Sequence, residues 1–244
     1  MRFLLKATVD THTHTVASVH AYSTLLENVQ AAKEKGLEGF VTTDHAPAMG
    51  DTTFPFFINL SAAVPPVVNG IRVLAGSELN IIDYEGNLDL NEDVWKRLEL
   101  LIASAHTIPC MQPGTVEEHT RMYSKVAENP YVDVIGHCGQ EAYRFDWEPV
   151  LKKFKEYGKM IEINSHSPKA RPGSAENCVE IAKLCKKYEI PVVVSSDAHF
   201  ANRIGAFEPS LKLLEEIDFP EKLVMNRSLD VLLEQLPRAR KETL

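Results

Sequence analysis

The sequence predicts an α/β fold in which seven parallel strands close into a TIM-like (β/α)7 barrel. Three observations carry that expectation. Seven short apolar runs alternate with longer amphipathic stretches along the 244 residues, the pattern of a parallel sheet with helices packed outside it. The runs are apolar throughout rather than alternating, as strands buried on both faces are. Histidines recur just after the runs, where barrel enzymes carry their chemistry.

Strands are expected at residues 4–9, 39–42, 72–75, 100–103, 132–135, 160–163 and 192–195. Helices are expected between and after them. Residues 24–35 place Leu25, Leu26, Val29 and Ala32 at helical spacing, and Gly36 stands where a helix stop favours glycine. Residues 93–98, 116–127, 147–157, 174–188 and 209–217 have similar patterns. Residues 62–69, with Pro65 and Pro66, read as a turn inside the unit. No Gly/Ser-rich or Pro-rich linker interrupts the chain, so residues 1–244 are taken as a single domain whose charged tail after Leu236 frays.

Composition narrows the function classes. Apolar residues make up 44% and charged residues 25%, which fits a globular protein with a substantial core. No run approaches the roughly 18 apolar residues of a transmembrane helix. The start, Met1-Arg2-Phe3-Leu4-Leu5-Lys6, is short for a signal peptide, which points to a cytoplasmic protein. A net charge of −8 argues against affinity for a phosphate backbone. The cysteines, Cys110, Cys138, Cys178 and Cys185, form no C-x-x-C pair and read as reduced core thiols. Neither a dinucleotide-binding glycine motif nor a P-loop is present.

The nine histidines carry the functional signal. His12, His45, His106, His137 and His199 each stand just past an expected strand, and His14 and His20 extend the first position into its loop. In Asp10-Thr11-His12-Thr13-His14, strand alternation sends Asp10, His12 and His14 to one side. Asp10 would then orient a ligand histidine from behind. Glu78 lies past the third run, and Asp197 and His199 share a face past the seventh. Any one of these fits an ordinary hydrogen-bonded residue. The set does not, because seven imidazoles and two carboxylates converging without metal would carry desolvation and repulsion costs. Imidazole and carboxylate are natural ligands of zinc, manganese or iron. At about three protein ligands per catalytic ion, nine groups suggest up to three ions, with room for a bridging carboxylate.

These residues resemble the PHP (polymerase and histidinol phosphatase) superfamily. Its pattern of D-x-H-x-H, a D-H pair, a Glu, two single His and a final D-x-H is met by Asp10, His12, His14, His20, Asp44, His45, Glu78, His106, His137, Asp197 and His199. His20-Ala21-Tyr22-Ser23-Thr24 and Phe57-Ile58-Asn59 look like the YcdX-like phosphatase subgroup. The resemblance implies a distorted seven-stranded barrel, a trinuclear site of three divalent ions (usually zinc, with manganese or iron as alternatives) and phosphoester hydrolysis by a metal-activated water, with no side-chain nucleophile. By carry-over, His12, His14, Glu78 and Asp197 hold one ion. Glu78 bridges to a second, held with His106 and His137, and His20, His45 and His199 hold the third. Many relatives have Pro after the fifth-strand His; here Cys138-Gly139 follows, which would put a thiol beside the site.

The loop after the sixth run supplies Lys169 and Arg171 as substrate-binding candidates, followed by a helix whose N-terminal amides suit an anion. Arg203 is a lesser candidate. His166 would touch substrate rather than metal, and His119 reads as a surface residue of a helix. The expected substrate is a small phosphorylated metabolite, with no nucleic acid or membrane partner, and the relatives point to self-association. The alternatives are a histidinol-phosphate phosphatase, a metal-dependent 3'-5' exonuclease, or a metal-binding protein without catalysis.

Overall fold

Strand β1 spans Val9–Thr13, β2 Gly39–Thr42, β4 Ile71–Asn80, β5 Leu100–Ser104, β6 Val134–Ile135, β7 Met160–Asn164 and β8 Val192–Ser195. The computed structural model describes residues 5–50, 52–107 and 109–240. The seven strands pair in parallel in that order. The nearly closed barrel is completed where Thr13 bridges Ala198, with the His14 amide donating to the Ala198 carbonyl at 2.9 Å. A two-residue strand, β3 (Val67–Val68), pairs antiparallel with β4.

Six of the expected strands are in place within a few residues. The first is not: the ladder begins at Val9 rather than ending there, and Leu4 lies outside the described residues. Leu5 is buried and its amide donates to Glu215, so that run is core but not sheet. The strand is instead the polar segment Val9-Asp10-Thr11-His12-Thr13, every residue of it buried.

Side-chain alternation explains the continuous apolar runs. On β5, Leu100 and Ile102 point into the barrel with Val9, Val41, Leu74, Val134, Met160 and Val193, so every barrel strand contributes to the interior. Leu101 and Ala103 face outward into the clusters under the helices. Those helices are α1 (Leu25–Glu34), α2 (Phe54–Ala63), α3 (Glu92–Trp95), α4 (Val116–Glu128), α5 (Trp147–Glu156), α6 (Ser167–Ala170), α7 (Ser174–Tyr188), α8 (Glu208–Glu216) and α9 (Leu229–Glu234). Thr24 with Glu27, and Thr115 with Glu118, form capping boxes that fix the starts of α1 and α4. No described helix is long and apolar enough to cross a membrane.

Two further regions differ from expectation. Residues 62–69 are not a simple turn: they hold the end of α2 and then β3, whose hairpin turns at Asn69 (φ 52) and Gly70 (φ 84). Asn-Gly is the favoured pair for such a turn. The tail after Leu236 does not fray within the described residues. Met225, Leu232 and Leu236 plug the floor of the barrel. Beyond them Arg238 pairs with Asp133, and the Arg240 guanidinium lies 2.7 Å from buried Glu99, which also holds Arg72 at 2.7 Å.

Candidate metal centre

All nine residues expected as ligands meet at the mouth of the barrel. Glu78, near the end of β4, is at the centre. Its Oε1 faces His137 Nε2 at 2.9 Å and His106 Nε2 at 3.2 Å. Its Oε2 faces His45 Nδ1 at 2.9 Å and His12 Nε2 at 3.2 Å, with His14 Nε2 at 3.6 Å. Asp197 Oδ1 lies 3.4 Å from His14 Nε2, 3.6 Å from His12 Nε2 and 3.5 Å from His199 Nδ1. His20 Nε2 closes the outer edge, 2.9 Å from His199 Nε2 and 3.3 Å from His45 Nε2.

Local backbone places these groups. Gly136 lets β6 press against β5, since a Cβ there would fall 2.1 Å from Ser104 Oγ. His137 follows with φ 22, and Asp197 has φ 53. Such left-handed backbone is strained for a side-chain-bearing residue and tends to persist at functional sites. Asp197 therefore reaches the centre from a turn beyond β8, not from the strand alternation that its spacing from His199 suggests.

Imidazole nitrogens face one another at 2.9 to 3.3 Å in three pairs: His12 with His14, His20 with His45, and His20 with His199. Two neutral rings share at most one proton along such a line, so lone pairs gather at the middle. Nδ1 of His45 and Nε2 of His106 are buried near Glu78 oxygens yet have no aligned hydrogen bond. Groups of one ligand atom each lie within 4.8 Å of one another in His12/His14/Glu78, His45/Glu78/His106 and His14/His45/His199. This donor set fits divalent transition ions.

The carboxylates and imidazoles of the cluster shift one another's proton affinities. Burial alone would raise Glu78 and Asp197, yet the surrounding histidines, with Arg171 at Asp197, hold both well below the ordinary carboxylate range. Burial lowers His14 well below the usual imidazole value and takes His137 to about 4, whereas against the same push of burial Glu78 raises His12 and His45, so protons at those rings stand where cations would bind.

A supporting layer fixes the rings. Glu162 on β7 accepts from His12 Nδ1, from Ser195 Oγ and from the His137 backbone amide, each at 2.6 Å. Asn80 Oδ1 accepts from His106 Nδ1 at 2.8 Å. Ser18 accepts from His14 Nδ1 at 3.2 Å while donating to Asp44 at 2.8 Å. With Nδ1–H engaged, Nε2 is left as the ligand atom. Asp10 meets the expected ligand residue His12 at its backbone amide, 3.5 Å away, and not at its ring. Its carboxylate accepts from the Ser196 amide at 3.1 Å, the Gly205 amide at 2.8 Å and the Ser196 hydroxyl, tying β1 to the loop after β8.

Arg171 reaches the cluster, with its guanidinium 3.1 Å from Asp197 Oδ2. Lys169 and Arg203 are exposed and line a cleft beside it with His166. Beside the start of α7 the Glu141 carboxylate accepts from the Asn177 side-chain amide at 2.7 Å. His119 is not on the surface: it is 2% exposed, with Nδ1 donating to the Arg144 carbonyl at 2.9 Å and Nε2 accepting from the Gly114 amide at 2.8 Å. The Cys138 thiol belongs to the hydrophobic cluster with Cys185, and burial pushes it far above the usual thiol value. A neutral thiol in apolar surroundings is not a metal ligand.

Comparison with known proteins gives the family and the fold. The PHP domain family matches residues 10–166, and the PHP-associated family matches residues 176–207. A "probable phosphatase" of Acetivibrio thermocellus is 46% identical over 96% of this chain and 97% of its own. Another, of Caldicellulosiruptor saccharolyticus, is 48% identical over 93% and 95%. Among solved structures, histidinol phosphate phosphatase from Lactococcus lactis, complexed with zinc, L-histidinol and phosphate, superposes with TM-score 0.62 at 18% identity, covering 88% of this chain and 95% of that one. A chain from the crystal structures of YwqE from Bacillus subtilis and CpsB from Streptococcus pneumoniae, metal-dependent tyrosine phosphatases, gives TM-score 0.59 at 19% identity, covering 96% of this chain and 97% of that one. At these identities the structures share the fold.

Proposed function

This chain belongs to the PHP domain family as a hydrolase of phosphoric esters, and on that premise we propose that it removes phosphate from a small metabolite at a site of three divalent ions. The observation that carries the proposal is the double face of Glu78, with one oxygen towards His106 and His137 and the other towards His12, His14 and His45. A bridging carboxylate needs that placement. In this reading His12, His14 and Asp197 complete one position, His106 and His137 a second, and His20, His45 and His199 a third. Zinc is the first choice of metal, with manganese or iron as alternatives.

Bound there, the ions would supply Lewis acidity towards the phosphoryl oxygens and an activated water. The protein's own part is placement. Glu162, Asn80 and Ser18 lock the tautomers of His12, His106 and His14. Arg171 holds Asp197 from the far side and also lines the central cavity, where it would meet the anionic substrate. Lys169 adds a second cation at the rim. Water replaces the alcohol at phosphorus, giving inorganic phosphate and the free alcohol. Clefts of about 290, 310 and 490 Å³ around the cluster suit a small substrate.

The test is metal analysis of the purified protein, together with an activity screen over phosphorylated metabolites with zinc, manganese or iron restored and single-stranded DNA as the competing substrate. His12→Ala and Asp197→Asn should each lose metal and turnover. Undiminished metal content and activity in both variants would overturn the assignment, and preference for DNA would replace the metabolite reading with a nuclease.

A further inference from the structure

The clefts on either side of the cluster differ in chemistry. The larger, about 490 Å³, runs from His106 past Met49, Thr107, Gln140 and Glu141. Among the described residues that line it, the one Lys or Arg is Arg171, which also pairs with Asp197 at the cluster. The other, about 310 Å³, lies between His166, His199, Lys169, Arg203, Tyr22 and Phe200. Asp197 at its inner end is the only carboxylate lining it among the described residues, and that group faces Arg171 and the histidines. Among the described residues, two exposed cations therefore face this cleft with no carboxylate on its walls besides Asp197, in a chain of net charge −8.

Two aromatic rings stand beside those cations. Tyr22 is 72% exposed and Phe200 50% exposed. Rings left in water at the edge of a cleft mark a surface that gains by being covered. The backbone beneath them is tied down: the Tyr22 amide donates to the His199 carbonyl at 2.9 Å, and the Ala201 amide donates to Ser23 Oγ at 2.9 Å. Aromatic groups on a fixed backbone bind with little ordering cost.

Resting on the phosphoesterase reading, we propose that this second cleft takes the leaving group, and that the substrate is a phosphomonoester whose alcohol carries a flat ring and a further anionic group, a carboxylate or second phosphate. The reacting phosphate meets the cluster and Arg171 at the inner end. The ring packs against Tyr22 and Phe200. The extra anion meets Lys169 and Arg203 at the outer end, which is why these cations stand away from the nine converging residues.

The test compares steady-state kinetics of the metal-reconstituted protein on phenyl phosphate, 4-carboxyphenyl phosphate and glycerol 3-phosphate. The carboxylated ester should have the lowest KM. Lys169→Gln and Arg203→Gln should each raise that KM about two- to fivefold, and together about tenfold, as expected for exposed charge pairs. The rise for phenyl phosphate should be several times smaller. Phe200→Ala should raise KM for both aryl esters but not for glycerol 3-phosphate. An equal rise for the two aryl esters in the cation variants would mean that Lys169 and Arg203 hold the reacting phosphate, and no rise would mean that they face solvent. Either result overturns the inference while leaving phosphatase activity in place. Failure to hydrolyse any of the three esters with zinc, manganese or iron would instead remove the phosphoesterase reading, and the inference with it.

Discussion

Replacing Glu162 by glutamine exchanges one oxygen for an amide nitrogen behind the metal centre, and its consequences follow from three contacts. Oε1 accepts from His12 Nδ1 and Ser195 Oγ, and Oε2 accepts from the His137 amide, each at 2.6 Å. His12 holds the Glu162 carboxyl below its usual range against the upward push of burial, so these are bonds to a charged acceptor. A glutamine must turn its NH2 towards one side. Towards His137 it sets donor against donor, leaving buried groups unsatisfied at about 1–3 kcal/mol. Towards His12 it donates to Nδ1, forces the proton onto Nε2 and removes the lone pair aimed at Glu78. Either way, loss of an orienting partner typically costs about 10- to 100-fold in metal affinity or activity, or about 1.4–2.8 kcal/mol. Chelator competition should show metal affinity falling by that factor, with kcat falling at moderate metal and recovering in part at excess metal. KM should change little, because Glu162 lines none of the clefts around the cluster. A folded Glu162→Gln protein with metal affinity and kcat within twofold of the parent would refute the reasoning.

Arg240→Ala removes a guanidinium that pairs with Glu99 and donates to the carbonyls of Ser61, Val64 and Val73. With Arg72 still holding Glu99, the loss should be about 2 kcal/mol, somewhat below that of breaking a fully buried pair, and should lower Tm by roughly 4–8 °C in a chain of this size; an unchanged melting curve would show that the tail does not brace the barrel. Chelation should lower Tm as well, because an ion present at about 100 times its Kd stabilises by about 2.7 kcal/mol, and the missing stability should return on adding zinc; a melting temperature indifferent to chelator would count against bound metal. Thiol titration should find Cys110, which is partly exposed, reacting quickly in the native protein, while Cys138, Cys178 and Cys185 react only after unfolding. Burial pushes Cys178 up to about 12; rapid labelling of more than one thiol would contradict this core.

The barrel was legible because burial on both faces leaves an apolar run that survives without neighbours. It failed at β1, where the ladder passes through Asp10, Thr11, His12 and Thr13 and the apolar residues lie just before it. A strand that carries function can be buried and polar at once, and hydrophobicity then points to the wrong segment. The hairpin after α2 was missed in favour of a turn at Pro65-Pro66, although Asn69-Gly70, whose positive φ values suit that pair, carried the signal. The tail was misjudged because Arg238 and Arg240 look solvated until Asp133 and Glu99, far away in sequence, are placed beneath them. His119 was misjudged although the signal was local. It shares a helical face with Met122, Tyr123 and Val126, spacings of three, four and seven that mark the buried side of α4.

The site divides along the same line. Its nine converging residues were legible because histidine and carboxylate are rare enough at strand ends for their recurrence to mean something. Their supports were not, because serine, asparagine and glutamate acquire that role only from what folds against them. Glu162 lies 150 residues from His12, and Asn80 lies 26 from His106. Even so, Glu162 left a trace: it is the one charged residue inside Met160-Ile161-Glu162-Ile163, a run expected to be buried on both faces. Burying a carboxylate there is costly unless a donor or cation waits inside. In a barrel whose strand ends carry histidines, that donor is most simply a ligand ring. The charge that spoils an apolar strand is thus evidence about the site, and Asp10 shows the limit of the argument. It too is a buried carboxylate on an inner strand, yet it spends its acceptors on the backbone of Ser196 and Gly205. Sequence can say that such a group must be satisfied; only the fold says by what.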